Sequence, residues 1–439
     1  MNFSLMMKIY RNPEFSQWSE LLHRPAADTR ALESAVLPIL EAVKLRGDAA
    51  LREYTARFDG VALTDFSVSE SEFQAAEESC PKDLKKAIRL AQKNIETFHR
   101  SQIEKHEEVE TLPGVRCWRR SVPIERVGLY VPGGSAPLYS TLLMLGVPAR
   151  IAGCSEIVVC TPPQPDGTVH PAILFTAKTL GLSKVFKVGG AQAIAAMAYG
   201  TESIPAVYKI FGPGNAYVTA AKQLVARDGV AIDLPAGPSE VAVICDATAQ
   251  PAFVAADLLS QAEHGTDSQV LLITWDENTL KAVMREVERQ LTDLPRRDIA
   301  QKALENSKAI LVNTPDEALQ LSNAYAPEHL IIACADARAL AQRVTNAGSV
   351  FIGHYSCESA GDYASGTNHT LPTGGYARAY SGVSLDSFVK KITFQHLSPD
   401  GLRRLGPVIE TMAEAENLSA HRRAVSIRLN YLKTNTIDR

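Results

Sequence analysis

Nine short apolar runs, each bounded by turn residues and separated from the next by a helix-like pattern, constrain the fold of this chain most strongly. They form two blocks, four runs between residues 126 and 214 and five between residues 240 and 353. Strands that alternate with helices along a chain pack as parallel sheets covered by helices. The pattern therefore predicts an α/β fold with two doubly wound, incomplete Rossmann-like domains, plus small helical segments at both termini.

The overall composition excludes several classes of function. Hydrophobic residues make up 46% of the 439 residues, charged residues 21%, and the formal net charge is −4. No basic surface for nucleic acid or anionic membranes is indicated, and no apolar run approaches the roughly 18–20 residues of a membrane span. The N-terminus lacks the apolar core of a signal peptide. Seven scattered cysteines without a CxxC pair are typical of reduced thiols, so we expect a cytoplasmic protein.

Three glycine-rich turns follow strands in the first block: VPGGSAP (131–137), GGAQA (189–193) and FGPGNA (211–216). The last two open helical patterns, and backbone N–H groups at a helix N-terminus bind phosphates. Each turn by itself is equally consistent with an ordinary turn. Three of them at strand-to-helix junctions favour a nucleotide site, although the usual GxGxxG fingerprint is absent.

The dipeptide Glu-His occurs first in LLSQAEHG, residues 258–265. Gln261 continues the apolar stripe of Val254 and Leu258, so its amide should face the interior, and His264 is its i+3 neighbour. A buried amide and imidazole both need polar partners. On this segment alone, a core histidine beside a buried glutamine is the simpler interpretation, and a metal site is the alternative.

The second Glu-His pair lies in NAYAPEHL, where Pro327 should restrict Ala326 to an extended conformation. The apolar run HLIIAC begins directly after Glu328, so Glu328 and His329 are expected at a loop-to-strand junction. A rigid sheet can hold catalytic groups at such a place. Imidazole is a good general base near neutral pH, and a carboxylate can activate water. A surface glutamate beside a half-buried histidine is the alternative.

Two further polar groups lie towards the C-terminus. The loop ESAGDYASGTNHTLPTGGYAR, residues 358–378, combines Glu358, Asp362 and His369 with hydroxyls and glycines. Long irregular loops in compact domains are usually functional or disordered, and this composition favours an ordered, functional loop. The stretch EAENLSAHRRAV places Glu416 and His421 around a predicted helix start.

Eight motifs, in this order, resemble those of the histidinol dehydrogenase family: GLYVPGG, GGAQA, FGPGNAYV, IDLPAGPSE, LLSQAEHG, APEHL, GDYASGTNHTLPT and AEAENLSAH. The resemblance extends from about residue 30 to the C-terminus. It implies NAD-dependent oxidation of L-histidinol to L-histidine, the last steps of histidine biosynthesis. It also implies a homodimer whose C-terminal segment reaches into the partner's site. We expect an N-terminal extension (1–24), a discontinuous first α/β domain (25–129 and 239–382), a second, NAD-binding α/β domain (130–238) and a C-terminal helical segment (383–439).

The resemblance also assigns site residues. One zinc ion per subunit would be held by Gln261, His264, Asp362 and His421. Substrate contacts would come from Ser239, Gln261, His264, His329, Asp362, Glu416 and His421. Glu328 and His329 match the family's acid/base pair, and NAD contacts match Tyr130, Gln192 and Asn215. In the implied dimer, Glu416 and His421 belong to the other chain's site.

These roles suggest two hydride transfers in one site. His329 takes the hydroxyl proton in the first, the aldehyde stays bound, and Glu328 activates a water that adds to it before the second. Three alternatives stay open at this point. Cys154 or Cys160 could form a thiohemiacetal with the aldehyde. The substrate could be another small polar alcohol, or the chain could be a metal-binding protein without catalytic activity.

Overall fold

The computed structural model describes residues 7–24, 29–133, 137–235 and 237–434. The chain divides into two compact units. The first unit comprises residues up to Gln102 together with Ile124–Phe388, and the second unit comprises Ile103–Pro123 together with the residues from Val389 onwards. The predicted domain boundaries at residues 24, 129, 238 and 382 stay a prediction.

The elements are numbered in chain order. The strands are β1 (Lys8–Arg11), β2 (Glu108–Leu112), β3 (Val115–Pro123), β4 (Arg126–Tyr130), β5 (Glu156–Thr161), β6 (Val185–Lys187), β7 (Lys209–Phe211), β8 (Ala231–Ile232), β9 (Glu240–Cys245), β10 (Gln269–Thr274), β11 (Lys308–Leu311), β12 (His329–Ala333), β13 (Ser349–Ile352) and β14 (Val389–Leu397). The α-helices are α1 (Trp18–Leu21), α2 (Thr29–Arg46), α3 (Asp48–Tyr54), α4 (Glu70–Ser79), α5 (Lys82–Arg100), α6 (Tyr139–Ala152), α7 (Pro171–Thr179), α8 (Gly190–Tyr199), α9 (Ala216–Arg227), α10 (Pro251–Ala262), α11 (Glu277–Leu291), α12 (Arg297–Glu305), α13 (Pro315–Tyr325), α14 (Ala337–Ala341), α15 (Glu358–Tyr363), α16 (Pro399–Ala415) and α17 (Ser419–Thr434). A π-helical turn, Thr55–Asp59, follows α3.

The first unit contains two parallel sheets with the same winding. Sheet I has the order β6-β5-β4-β7-β8, and sheet II has the order β1-β11-β10-β9-β12-β13. In each sheet the strand that comes first in its block of apolar runs, β4 or β9, is central. The next two strands along the chain are added on one side of it, and the following two on the other side. This is the doubly wound arrangement, with a switch point between β4 and β7 in sheet I and between β9 and β12 in sheet II. The predicted α/β fold is confirmed, and all nine predicted runs form strands.

The central strands are apolar because both faces of each sheet are covered by helices. Every residue of β9, β10 and β12 is buried. On sheet I, α2, α8 and α9 pack together on one side, and α5, α6 and α7 on the other. Strands buried on both faces read as continuous apolar runs, which is why these runs are so clear in the sequence. No helix in the described ranges is long and apolar enough to cross a membrane.

The second unit contains an antiparallel sheet, sheet III, that no apolar run in the sequence predicts. Its order is β14-β3-β2, and the rings of Trp118 and Phe394 stack on neighbouring strands with their centroids 5.4 Å apart. Most positions in these strands are exposed or half-buried, and many carry charges, so no apolar run marks them. The predicted C-terminal helices follow as α16 and α17, where Gly406 allows Leu429 to approach closely.

Candidate active site

A cavity of about 920 Å³ opens at the carboxyl ends of the sheet I strands. Tyr130 ends β4, Gln192 lies in the first turn of α8, and Asn215 is the N-cap of α9; all three line the cavity. Ligands of doubly wound sheets bind outside the carboxyl ends of strands at the switch point. The structure therefore brings the three residues predicted to contact NAD to one cavity, at the place where a dinucleotide would bind.

The polar groups of this cavity suit a phosphate-containing ligand. Two of the three predicted glycine turns do open helices, α8 at Gly190 and α9 at Ala216, and their N-termini lie at the cavity. The Tyr130 hydroxyl accepts a hydrogen bond from the Gly190 N–H, with 3.0 Å between the heavy atoms. Burial raises the pKa of Tyr130 to about 12, so this hydroxyl keeps its proton and can donate it to a ligand. Part of the third turn, residues 134–136, lies outside the described residues.

The FGPGN turn beside Tyr130 is fixed by a buried ion pair. Gly212 has φ +128°, and a Cβ atom there would overlap the carbonyl oxygen of Tyr130. Its N–H donates to Asp233 Oδ2 (2.8 Å) and its carbonyl accepts from Lys222 Nζ (2.9 Å). Lys222 and Asp233 also pair directly and are both almost fully buried. The turn thus has its backbone polar groups satisfied, and only glycine fits.

A polar cluster lies at the opposite, amino-terminal edge of the strands of sheet II. The metal-binding atoms of His264, Glu358 and Asp362 all lie within 4.8 Å of one another. His264 follows α10, whereas Glu358 and Asp362 are i, i+4 neighbours on α15. Gln261, on α10, is buried beside Val254 and Leu258 as predicted, and neither polar atom of its amide has a hydrogen-bond partner among the described residues. Such an unpaired buried amide fits a ligand or a metal ion.

His329 is the first residue of β12 and is surrounded by carboxylates. Its Nδ1 lies 3.2 Å from the carbonyl oxygen of Glu240, 3.6 Å from Glu328 Oε2 and 3.8 Å from Glu358 Oε1. Its Nε2 lies 3.5 Å from Asp362 Oδ1. Burial lowers the pKa of His329, but the neighbouring carboxylates outweigh it and raise the pKa to about 10. His329 is therefore linked directly to the cluster.

The carboxylates differ in protonation because their surroundings differ. Burial raises the pKa of Glu328 to about 7, which suits a proton acceptor near neutral pH. Burial also raises the pKa of Glu358, to about 8. Burial acts on Asp362 in the same direction, but the His329 ring, whose Nε2 lies 3.5 Å from Asp362 Oδ1, lowers its pKa overall. Deprotonated and protonated carboxyls thus lie side by side around one imidazole.

The structure corrects one expectation and adds two residues. Ala326 is not extended but left-handed, with φ 55° and ψ 65°, despite the following proline. Glu358, which had no predicted role, belongs to the cluster; its i, i+4 spacing from Asp362 was the available signal. His369, also without a predicted role, places Nδ1 2.9 Å from the Asp362 carbonyl oxygen and Nε2 3.3 Å from Thr141 Oγ1, so it links α15 to α6.

The remaining predicted residues lie as follows. Ser239 directly precedes β9, at the edge of sheet II that carries the cluster. Glu416 and His421 lie in the second unit, where both are exposed, and their predicted place in the site of a second chain stays a prediction. Cys160 is fully buried, and burial raises the pKa of its thiol strongly. Burial also raises the pKa of Cys154, to about 11, so neither thiol suits a nucleophilic role.

Comparison with known proteins decides the family. The histidinol dehydrogenase family model matches residues 22–429. The chain belongs to the histidinol dehydrogenase family. A histidinol dehydrogenase of Bacteroides thetaiotaomicron is 62% identical over 428 residues, covering 98% of this chain and all of the relative. One of Xanthomonas axonopodis is 56% identical, covering 94% of this chain and 98% of the relative.

A solved histidinol dehydrogenase structure, from Elizabethkingia anophelis, matches this fold with a TM-score of 0.96 and 56% sequence identity. The match covers 97% of this chain and 99% of that one. The predicted histidinol dehydrogenase family and the prediction of an oxidoreductase are therefore confirmed.

Proposed function

We propose that this enzyme oxidises L-histidinol to L-histidine in histidine biosynthesis, using one zinc ion per subunit and two molecules of NAD. One observation carries the proposal: His329, a basic imidazole, lies 3.5 Å from Asp362, a member of the metal-type cluster. A substrate alcohol held at that cluster would be within reach of a proton acceptor. The relatives' name supplies the substrate, and the cavity of sheet I supplies a place for the dinucleotide.

The residues of the cluster fit zinc. Gln261, His264 and Asp362 would hold the ion, with His421 supplied by a second copy of the chain. The unpaired, buried amide of Gln261 supports this assignment, because a metal ion would give its oxygen the partner it lacks. Nitrogen and oxygen ligands without a thiolate suit a borderline cation and leave room for exchange with other divalent metals. Bound zinc would fix the imidazole and amino nitrogens of the substrate.

The cavity of sheet I would take NAD, with Tyr130, Gln192 and Asn215 as contacts and two helix N-termini facing its phosphates. NAD supplies the hydride acceptor for both oxidation steps. Helix α6 connects the two regions: it begins at Tyr139, two residues after Pro137 in the cavity wall, and its Thr141 contacts His369 behind Asp362.

Proton transfers would be carried out by His329 and Glu328. An Nδ1–H donated to the Glu240 carbonyl leaves Nε2 as the nitrogen that faces the cluster, 3.5 Å from Asp362 Oδ1. A cation held at Asp362 would offset the carboxylates that keep the pKa of His329 high, and Nε2 of the neutral ring would then take the alcohol proton in the first oxidation. Glu328 would then take a proton from the water that adds to the bound aldehyde, and His329 would take a hydroxyl proton of the resulting diol. Retaining the aldehyde in the site prevents its side reactions.

A homodimer with shared sites is part of the proposal. The C-terminal helices and the turn between them expose large apolar side chains: Val408 (53%), Met412 (61%), Leu418 (42%) and Ile427 (57%). Val408 and Met412 are i, i+4 neighbours and share one face of α16, and an exposed apolar face suits contact with a second protein chain. Free cysteines at all seven positions are consistent with the proposed cytoplasmic location, where thiols stay reduced.

The decisive experiment measures NADH formed per L-histidinol consumed by the purified enzyme, with and without a chelator. We expect two NADH per substrate, loss of activity with the chelator and recovery on adding Zn²⁺. Absence of NADH from L-histidinol, combined with NADH from another small alcohol, would refute the substrate assignment. Zinc binding without any oxidation of alcohols would instead indicate a metal-binding protein without catalytic activity.

Shared sites have their own test. His329→Asn and His421→Asn chains, each inactive alone, are mixed and reassembled into verified heterodimers. Partial recovery of activity is expected, because one of the two sites would then receive both intact residues. Heterodimers without activity would contradict the shared site while leaving the proposed reaction standing.

A further inference from the structure

Glu240, the first residue of β9, contacts both proposed catalytic residues through its backbone. Its N–H donates to Glu328 Oε2 at 2.8 Å, and its carbonyl oxygen lies 3.2 Å from His329 Nδ1. A single residue thus orients the carboxylate and selects the ring nitrogen on which His329 carries its proton. Any rotation of the Glu240 peptide groups would move both contacts at once.

The Glu240 side chain is held firmly. Only 3% of the side chain is exposed, and its carboxylate accepts from both Nε and Nη2 of Arg24, the latter at 2.8 Å. The Gly374 N–H donates to the same carboxylate at 3.0 Å. A two-pronged guanidinium–carboxylate pair fixes orientation as well as charge, and a buried carboxylate depends on such a partner.

Arg24 also holds the segment that leads to Glu328. Its Nη2 donates to the Tyr325 carbonyl at 2.8 Å, and its guanidinium carbon lies 3.8 Å from the centre of the Tyr325 ring. Ala326 follows in the left-handed region, which is unfavourable for alanine and persists only where the surroundings enforce it. Arg24 therefore supports the two strand starts, β9 and β12, that carry the proposed base and water activator.

We propose that Arg24 and Glu240 form a positioning pair for the oxidation, setting the orientation of Glu328 and His329. The inference rests on the proposed function, since it takes the roles of those two residues from it. Arg24 precedes α2 and lies far in sequence from every motif of the site, so nothing in the motif pattern indicated it. The pair acts through the peptide groups of Glu240 and not through contacts of its own with substrate or cofactor.

The test uses the full-length enzyme with Zn²⁺ and four variants: Arg24→Ala, Arg24→Lys, Glu240→Gln and Arg11→Ala. The last is the matched control, because Arg11 lies in the same N-terminal segment but forms an exposed pair with Glu277. The values measured are kcat, KM for L-histidinol, KM for NAD and the melting temperature. We expect Arg24→Ala to lower kcat at least tenfold, since small displacements of reacting groups have large effects on rate.

If Arg24 had only a structural role, Arg24→Ala would lower the melting temperature but would not lower kcat selectively relative to the two KM values. A positioning role lowers kcat while KM for NAD stays within twofold, because neither Arg24 nor Glu240 lines the cavity of sheet I. Arg24→Lys should recover only part of kcat, because an ammonium lacks the two-pronged geometry. Arg11→Ala should stay within twofold of wild type in every constant.

The outcomes separate the two proposals. Wild-type enzyme that is inactive with L-histidinol overturns the proposed function and this inference together. If the wild-type enzyme is active and the kcat of Arg24→Ala lies within twofold of the wild-type value, only the inference is overturned. If Arg24→Ala fails to fold, the other two variants decide. Wild-type kcat in both Arg24→Lys and Glu240→Gln would overturn the positioning role. A fall in kcat without a change in KM for NAD would support it.

Discussion

Five strands of sheet II follow the same order as the five strands of sheet I, but the two sheets use opposite edges. In sheet I the cavity lies at the carboxyl ends of the strands, with Tyr130 and Asn215 in its wall. In sheet II the polar cluster and His329 lie at the amino ends. Both sheets have the same winding, so the winding cannot determine which edge carries the functional groups. That edge is determined by the residues at the junctions between strands and helices.

The carboxyl edge of sheet II illustrates the difference. Asp246 follows β9 and accepts hydrogen bonds from the N–H groups of Thr248 (2.9 Å) and Ala335 (3.0 Å). Asp276 caps α11 by accepting from the Thr279 N–H. Carboxylates therefore occupy the positions where phosphate oxygens would bind, whereas α8 begins after a glycine and α9 after a neutral asparagine. A doubly wound strand order and free helix N-termini are therefore not sufficient to create an anion-binding site; the residues at the helix starts must also leave room for the anion.

The largest effect should come from the amino edge of sheet II. His329→Asn should lower kcat by about 10²–10⁴, the usual contribution of a general base. NAD affinity, measured by titration of the zinc-loaded enzyme, should stay within twofold, because the cavity belongs to sheet I. A loss of NAD affinity in His329→Asn would contradict the assignment of proton transfer to sheet II and of NAD binding to sheet I.

A change in the cavity of sheet I should likewise affect NAD binding without affecting zinc binding. Gly212→Ala places a methyl group against the Tyr130 carbonyl and requires a strained φ, at a cost of about 1–3 kcal/mol. We expect KM for NAD to rise at least tenfold while zinc content, measured by atomic absorption, is unchanged. Gly229→Ala is the control: it also has positive φ, but its added methyl group meets no neighbouring atom. Equal KM values for the two variants would show that the contact with Tyr130 is unimportant.

The carboxyl edge of sheet II should matter for stability alone. Asp276→Ala removes the N-cap of α11 and should lower the free energy of unfolding by about 1 kcal/mol, measured by urea denaturation. We expect kcat and both KM values to be unchanged. A change in KM for NAD would indicate that this edge also takes part in nucleotide binding.

The last prediction concerns pH. Burial raises the pKa of Asp59, in the cavity wall, to about 6, and within the part of the chain that the structure describes its Oδ2 has no hydrogen-bond partner. The folded chain therefore binds this proton more tightly than the unfolded chain, whose aspartate pKa is about 3.9, and the folded state loses stability as pH rises through that interval. Asp59→Asn should raise the urea midpoint at pH 8 more than at pH 5. Asp293→Asn, an exposed control, should show no such difference.

Much of the fold was predictable because central strands buried on both faces must be apolar. The nine runs, the helix starts at Gly190 and Ala216 and the burial of Gln261 all follow from local patterns. Sheet III was not predicted, since its exposed, charged strands lack that signal. The conformation of Ala326 was predicted wrongly, because contacts made by Arg24 and neighbouring segments override the local preference before proline.

The sequence by itself determined the α/β architecture, the family and the two Glu-His segments, because periodicity and motifs are local properties. Tertiary structure decided which groups meet. Glu358 joins Asp362 and His264 only because α15 packs beside α10, and Arg24 reaches Glu240 across more than two hundred residues of sequence. Distances between such groups, and the pKa shifts they cause, depend on packing that no single segment encodes.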